Sequence, residues 1–159
     1  MNYPVEVSRP RGVVDLIARD AEGNYLERYH ADNLIVDGGL AWLAGGLSGG
    51  VADPSVMKYL AIGTGATGAD EEAHDDTALV TQVETRTTGT QSLTTTYVAD
   101  DTYQVTGLFT MTAARAVTEC GLFSAATDGT LGARKTFAVM NIPSGGTLQI
   151  TWQWIFTAS

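Results

Sequence analysis

Apolar and polar residues alternate strictly near the end of the chain. Leu148, Ile150, Trp152, Trp154 and Phe156 share one parity, and Thr147, Gln149, Thr151 and Gln153 the other. Successive strand side chains point to opposite faces, so this segment predicts a strand with one face against a core. Ile155 breaks the pattern near its end. Tyr103, Val105, Gly107, Phe109 and Met111 predict a second strand of the same kind. Shorter apolar runs over Val13–Ala18, Tyr25–His30, Met57–Ile62, Val117–Phe123 and Leu131–Met140 predict further strands. Turns are expected at 21–24, 128–129 and 143–146, where Gly, Asn, Asp and Pro cluster. The Thr-rich stretch 85–98 predicts one or two more strands, and 77–83 a short helical turn or extended chain.

One segment has a different period. Leu40, Leu43, Ala44 and Leu47 recur at helical spacing behind Asp37, a residue suited to capping a helix start. Gly45-Gly46 and Ser48-Gly49-Gly50 end that helix within about three turns. Many short strands, frequent turns and a single short helix predict an all-β fold: a single-domain antiparallel sandwich or partly closed barrel. Residues 12–159 form that domain in this reading, with residues 1–11 as an extended N-terminal arm.

Composition agrees. The chain has 159 residues, 44% of them apolar, 17% charged and 18 of them Gly. That is a globular composition able to build one core. The formal net charge of −9 opposes phosphate backbones and anionic membrane faces. Neither nucleic acid nor membrane is therefore expected as a direct partner. Cys120 is the single cysteine, so no intrachain disulfide is available, which fits synthesis in a reducing cytoplasm.

Candidate chemistry is sparse. Gly63-Thr64-Gly65-Ala66-Thr67-Gly68 matches the glycine spacing of a dinucleotide loop. It leads into Asp70, Glu71, Glu72, Asp75 and Asp76 rather than a helix, and these charges oppose a phosphate. The acidic run has hard oxygen ligands but not the order of an EF-hand loop, and reads as a solvated loop. His30 and His74 have no metal-ligand spacing with each other or with Cys120. Trp42, Trp152 and Trp154 offer stacking surfaces for a glycan, yet the shared parity of the last two favours packing in a core. No catalytic residue, cofactor or metal site is assigned, and the chain is expected not to be an enzyme.

Five phrases occur in a specific order. They are Asn33-Leu34-Ile35-Val36-Asp37-Gly38-Gly39, Tyr59-Leu60-Ala61-Ile62-Gly63-Thr64-Gly65, and Asp76-Thr77-Ala78-Leu79 with Glu84 and Arg86. Then come Thr118-Glu119-Cys120-Gly121-Leu122-Phe123 and the final stretch from Gly145 to Trp152. This order resembles small virion proteins of tailed bacteriophages, described as decoration, head-auxiliary or tail-associated proteins. The resemblance spans roughly residues 33–156. It implies a non-catalytic particle component made in the cytoplasm of a bacterial host. The partners it implies are other virion proteins, either the major capsid protein or tail and neck components. Capsid decoration is the leading expectation, with a tail, neck or fibre location as the alternative and a glycan-binding module behind both. A homo-oligomer is expected, a trimer being one option.

Within this reading Asp76 caps the segment after it, and Leu79 anchors the long loop in the core. The arm is expected to serve assembly. Pro4 and Pro10 keep it from continuing a helix. Val5 and Val7 share strand parity and suit addition to a sheet edge. Arg9 and Arg11 are basic and suit docking on an acidic neighbour.

Overall fold

The computed structural model describes residues 10–49, 57–68 and 70–156. Among these, the elements run β1 (Arg11–Arg19), β2 (Tyr25–Ile35), α1 (Asp37–Ser48), β3 (Tyr59–Gly63), β4 (Gln82–Thr88) and β5 (Thr90–Thr94). They continue with β6 (Thr102–Thr110), β7 (Arg115–Phe123), β8 (Leu131–Ile142) and β9 (Thr147–Ile155). Every ladder is antiparallel, and the strand order is β4-β3-β7-β8-β2-β1-β9-β6-β5.

β4 and β5 stand at the two ends of that order, yet only Gly89 separates them in the chain. The polypeptide therefore passes from one edge of the sheet to the other and nearly closes it into a barrel. The crossing is tight. A Cβ on Gly89 would sit 2.2 Å from Val105 Cγ1, and the Gly89 N–H donates to the Lys58 carbonyl at 2.8 Å. The ladder is weakest between β2 and β8, which pair only at Leu34–Arg134 and Ile35–Ala133. Beyond that point the strands part, and the Tyr29 and Phe137 rings meet at 5.3 Å.

The alternating strands fill the interior. Val14, Leu16 and Ala18 of β1 meet Leu148, Ile150, Trp152 and Trp154 of β9, and Val105 and Phe109 of β6. Both Trp152 and Trp154 are 1% exposed, so the aromatic pair belongs to the core and not to a glycan-binding face. Phe156 departs from the predicted stripe. It lies beyond the end of β9 and is 43% exposed. A smaller apolar cluster of Val36, Ala61, Leu79, Phe123 and Leu131 forms a second core.

Two details differ from the sequence reading. Val36, not Asp37, occupies the cap position of α1, with extended backbone and no side-chain cap. Asp37 falls in the first helical turn, where its charge still complements the helix dipole. Gly39 lets the helix lie directly on β8, since a Cβ there would come within 2.1 Å of the Gly132 carbonyl oxygen. The second difference concerns the arm. Arg11 is the first residue of β1, paired with Ile155, and its Nη2 lies 2.6 Å from Asp32 Oδ1. It thus belongs to the barrel, because β1 and β9 continue their ladder to that residue. Val5, Val7 and Arg9 lie outside the described residues.

Candidate functional site

Among the described residues, a dense polar constellation lies on the β7–β8 pair, where residues 70–81 are strapped down. Arg134 of β8 is 3% exposed and Glu119 of β7 is wholly buried. Glu119 Oε2 accepts from Arg134 Nη2 at 2.8 Å and from Nε at 3.1 Å, while Oε1 accepts the Thr81 N–H at 3.1 Å. Arg134 Nη1 donates to Asp76 Oδ2 at 2.8 Å. One guanidinium thus joins two carboxylates from different parts of the chain, and every contact is charge-assisted.

Next to it, Glu72 receives the Lys135 ammonium and, at 2.7 Å, the Thr136 hydroxyl. Burial alone would raise the Glu72 pKa, but these donors outweigh it and hold the carboxyl below its usual range. Burial likewise works against the charges on Arg134 and Lys135, and their carboxylate partners raise both pKa values despite it. Leu79 tucks beneath the strap into the smaller core, as the sequence reading expected. Asp76 acts backwards along the chain instead of capping the segment after it, its Oδ2 accepting the Ala73 N–H at 2.8 Å.

Glu84 and Arg86 flank a second fixed point. The β3–β4 register slips between Leu60 and Ile62, which leaves a bulge around Glu84, whose φ is +57°. A bulge re-aims its side chains. Glu84 Oε1 accepts from Arg115 Nε at 2.7 Å, and Oε2 from the Thr112 hydroxyl at 2.9 Å. Arg86 lies 3.5 Å over the Phe123 ring and donates to the carbonyls of Ala125 and Asp128 at 2.9 and 2.6 Å. Both residues therefore brace the barrel.

The remaining sequence candidates are scattered over the fold. In the glycine-spaced loop, Asp70 Oδ2 accepts both the Thr67 N–H at 2.9 Å and the Thr67 hydroxyl at 2.7 Å. A carboxylate thus occupies a backbone donor that a phosphate would need. His30 Nδ1 is 3.5 Å from Asp15 Oδ1 on an exposed stretch of β2. The His74 carbonyl accepts the Asp37 N–H at 2.8 Å. A cleft of about 250 Å³ at the start of α1 is lined in part by Asp37, His74 and Asp75. Their carboxylates oppose the anion preference of a helix N-terminus. Trp42 packs partly buried against the main core. Cys120 is wholly buried, and its thiol pKa is pushed up by that burial and by the neighbouring Glu119 and Glu72 charges. Among the described residues no three His, Cys, Asp or Glu side chains form a metal-holding group, and no helix is long and apolar enough to cross a membrane.

Arg134, Lys135 and Thr136 escaped the sequence reading. Their partners lie between 15 and 64 positions away in the chain, and no local motif signals such distant pairs. The phrases Asp76–Leu79 and Thr118–Phe123 and the acidic run with Glu72 touch this site from the carboxylate side. No family model matches the chain, and none of the curated proteins or solved structures compared with it is a match.

Proposed function

We propose that this chain is a non-catalytic structural protein of a tailed-bacteriophage particle, a decoration protein that binds the assembled shell. One observation carries the reading. The phrases by which the sequence resembles such virion proteins are building elements of the barrel. The Asn33–Gly39 phrase joins β2 to α1, and Tyr59–Gly65 contains β3. Four charged residues of the phrases are engaged within the fold: Asp76 and Glu119 with Arg134, Glu84 with Arg115, and Arg86 with Phe123, while Asp37 is exposed at the start of α1. These contacts support an architectural part for the four residues. A nearly closed, internally braced barrel suits a protein whose work is to hold its form while many copies bind one lattice through repeated weak contacts.

Immunogold labelling tests this directly. Particles are collected from the bacterial cells that carry the coding sequence and probed with antibody against the chain. Label over the heads is the expected result. Label confined to tails or necks would favour the tail-associated alternative, and particles without label would overturn the reading.

A further inference from the structure

The barrel end where β1 starts and β9 stops carries a fixed apolar patch. Residues 95–101, between β5 and β6, form a turn organised around the Asp101 carboxylate. Its Oδ1 accepts the Thr96 N–H at 2.8 Å and the Thr102 hydroxyl at 2.9 Å. Its Oδ2 accepts the N–H groups of Tyr97 at 2.8 Å and Val98 at 3.0 Å. The Asp101 carbonyl in turn accepts the Phe156 N–H at 2.9 Å, which ties the turn to the end of β9. This scaffold leaves Tyr97 and Val98 66% and 64% exposed, and Phe156, whose backbone is bound to the same turn, is 43% exposed. Leu93, on β5 just before the turn, is also exposed. Large apolar side chains held ready on an ordered turn lose little further freedom on binding, and such residues act as anchors.

What covers the patch is suggested by the chain that leads to it. Arg11 pairs with Ile155, the residue before Phe156. The ladder thus brings the start of β1 to the end of β9, where Phe156 is tied to the 95–101 turn. Nine residues precede Pro10, among them Tyr3, Val5 and Val7 at one strand parity and the basic Arg9. Fully extended, nine residues reach about 30 Å, enough to leave one barrel and lie on the next. In the single chain Tyr97 and Val98 keep about two-thirds of their surface in water, so burying them is still available as a driving force.

We propose that residues 1–9 of a second copy of this chain cover the Tyr97–Val98–Phe156 patch, so that copies join through their N-terminal segments. This rests on the assembly reading above and names the partner as the chain itself. Reciprocal exchange makes a two-fold dimer, and head-to-tail exchange closes a ring such as a trimer.

Crosslinking two single-cysteine variants tests the proposal. Val5→Cys and Tyr97→Cys proteins are mixed, mildly oxidised and resolved without reductant. Cys120 is buried with a raised pKa and does not compete. The expected product is a mixed disulfide between the two variants. In light scattering, deleting residues 1–9 is expected to reduce the assembly to monomer without unfolding the barrel, and Tyr97→Ser to weaken self-association by roughly tenfold or more. A disulfide formed only within one molecule of the double variant, at every dilution, would overturn the proposal. So would an assembly mass unchanged by the deletion. Particle labelling is read separately, so the reading above can survive the loss of this one.

Discussion

At the scale of single residues, stability rests on a few buried side chains whose removal has predictable consequences. Trp152 sits in the middle of the core, 1% exposed. Trp152→Ala should lower the unfolding free energy by about 3–5 kcal/mol, the usual cost of emptying a buried aromatic site. Urea denaturation checks this, and a loss below about 1 kcal/mol would mean that the residue does not anchor the core. The Arg134–Glu119 pair behaves differently, because removing Glu119 leaves the buried guanidinium with Asp76 as its remaining carboxylate and the Thr81 N–H without its acceptor. Glu119→Ala should cost about 3–5 kcal/mol, whereas replacing both Glu119 and Arg134 by apolar residues of similar volume should cost less, because the carboxylate left over, Asp76, is partly exposed to water. Equal losses in the single and double variants would argue against a buried charge pair.

Carboxylates also set the acid response. Glu72 and Glu84 lie below their ordinary value of 4.5, and Asp101 falls from 3.8 to about 2. For all three, burial favours the neutral form and is outweighed. The donors responsible are Lys135 and Thr136 for Glu72, Arg115 and Thr112 for Glu84, and backbone N–H groups for Asp101. Each group is therefore a stronger acid folded than unfolded. Its contribution is complete above the unfolded pKa and is lost as pH falls through the folded one. Stability should be level down to about pH 5 and then decline towards pH 2. The Asp101→Asn variant should lose the most acidic part of that decline. Chemical denaturation at a series of pH values measures it, and stability rising on acidification would contradict the assignment.

At the scale of elements, closure depends on one residue. Gly89 lets β4 run into β5 across the gap between the sheet edges, close against Val105. Gly89→Ala should destabilise by about 1–3 kcal/mol through overpacking. Val105→Ala in the same chain should recover part of that loss by removing the methyl group in the way. Thermal unfolding of the three variants decides it, and a harmless Gly89→Ala would mean that the closure is loose.

β9 and β6 were legible in the sequence because one face is core and the other solvent, so the period of two is clean. β2 runs on to Ile35, past the expected His30, because Ala31 and Asp32 are at least partly exposed and Asn33 is buried but polar, so the three carry no apolar stripe. The acidic run, read as solvated, holds Glu72 and Asp76 against Lys135 and Arg134, and pairs of that separation leave no trace in a local window. Phe156 has the right parity for the core but lies past the last β9 residue, where the ladder no longer fixes its direction.

At the scale of the molecule, the cross-braces and the nearly closed sheet make one rigid body from strands distant in sequence. Rigidity of this kind favours binding by surface complementarity, since little order has to be created on contact. A net charge of −9 favours a basic or apolar partner surface on electrostatic grounds. As proposed, the chain is a repeated component of a particle, and quantitative mass spectrometry of purified particles tests that claim most directly. It predicts the chain at a copy number comparable with that of the major shell protein; particles of full composition that lack the chain would contradict it.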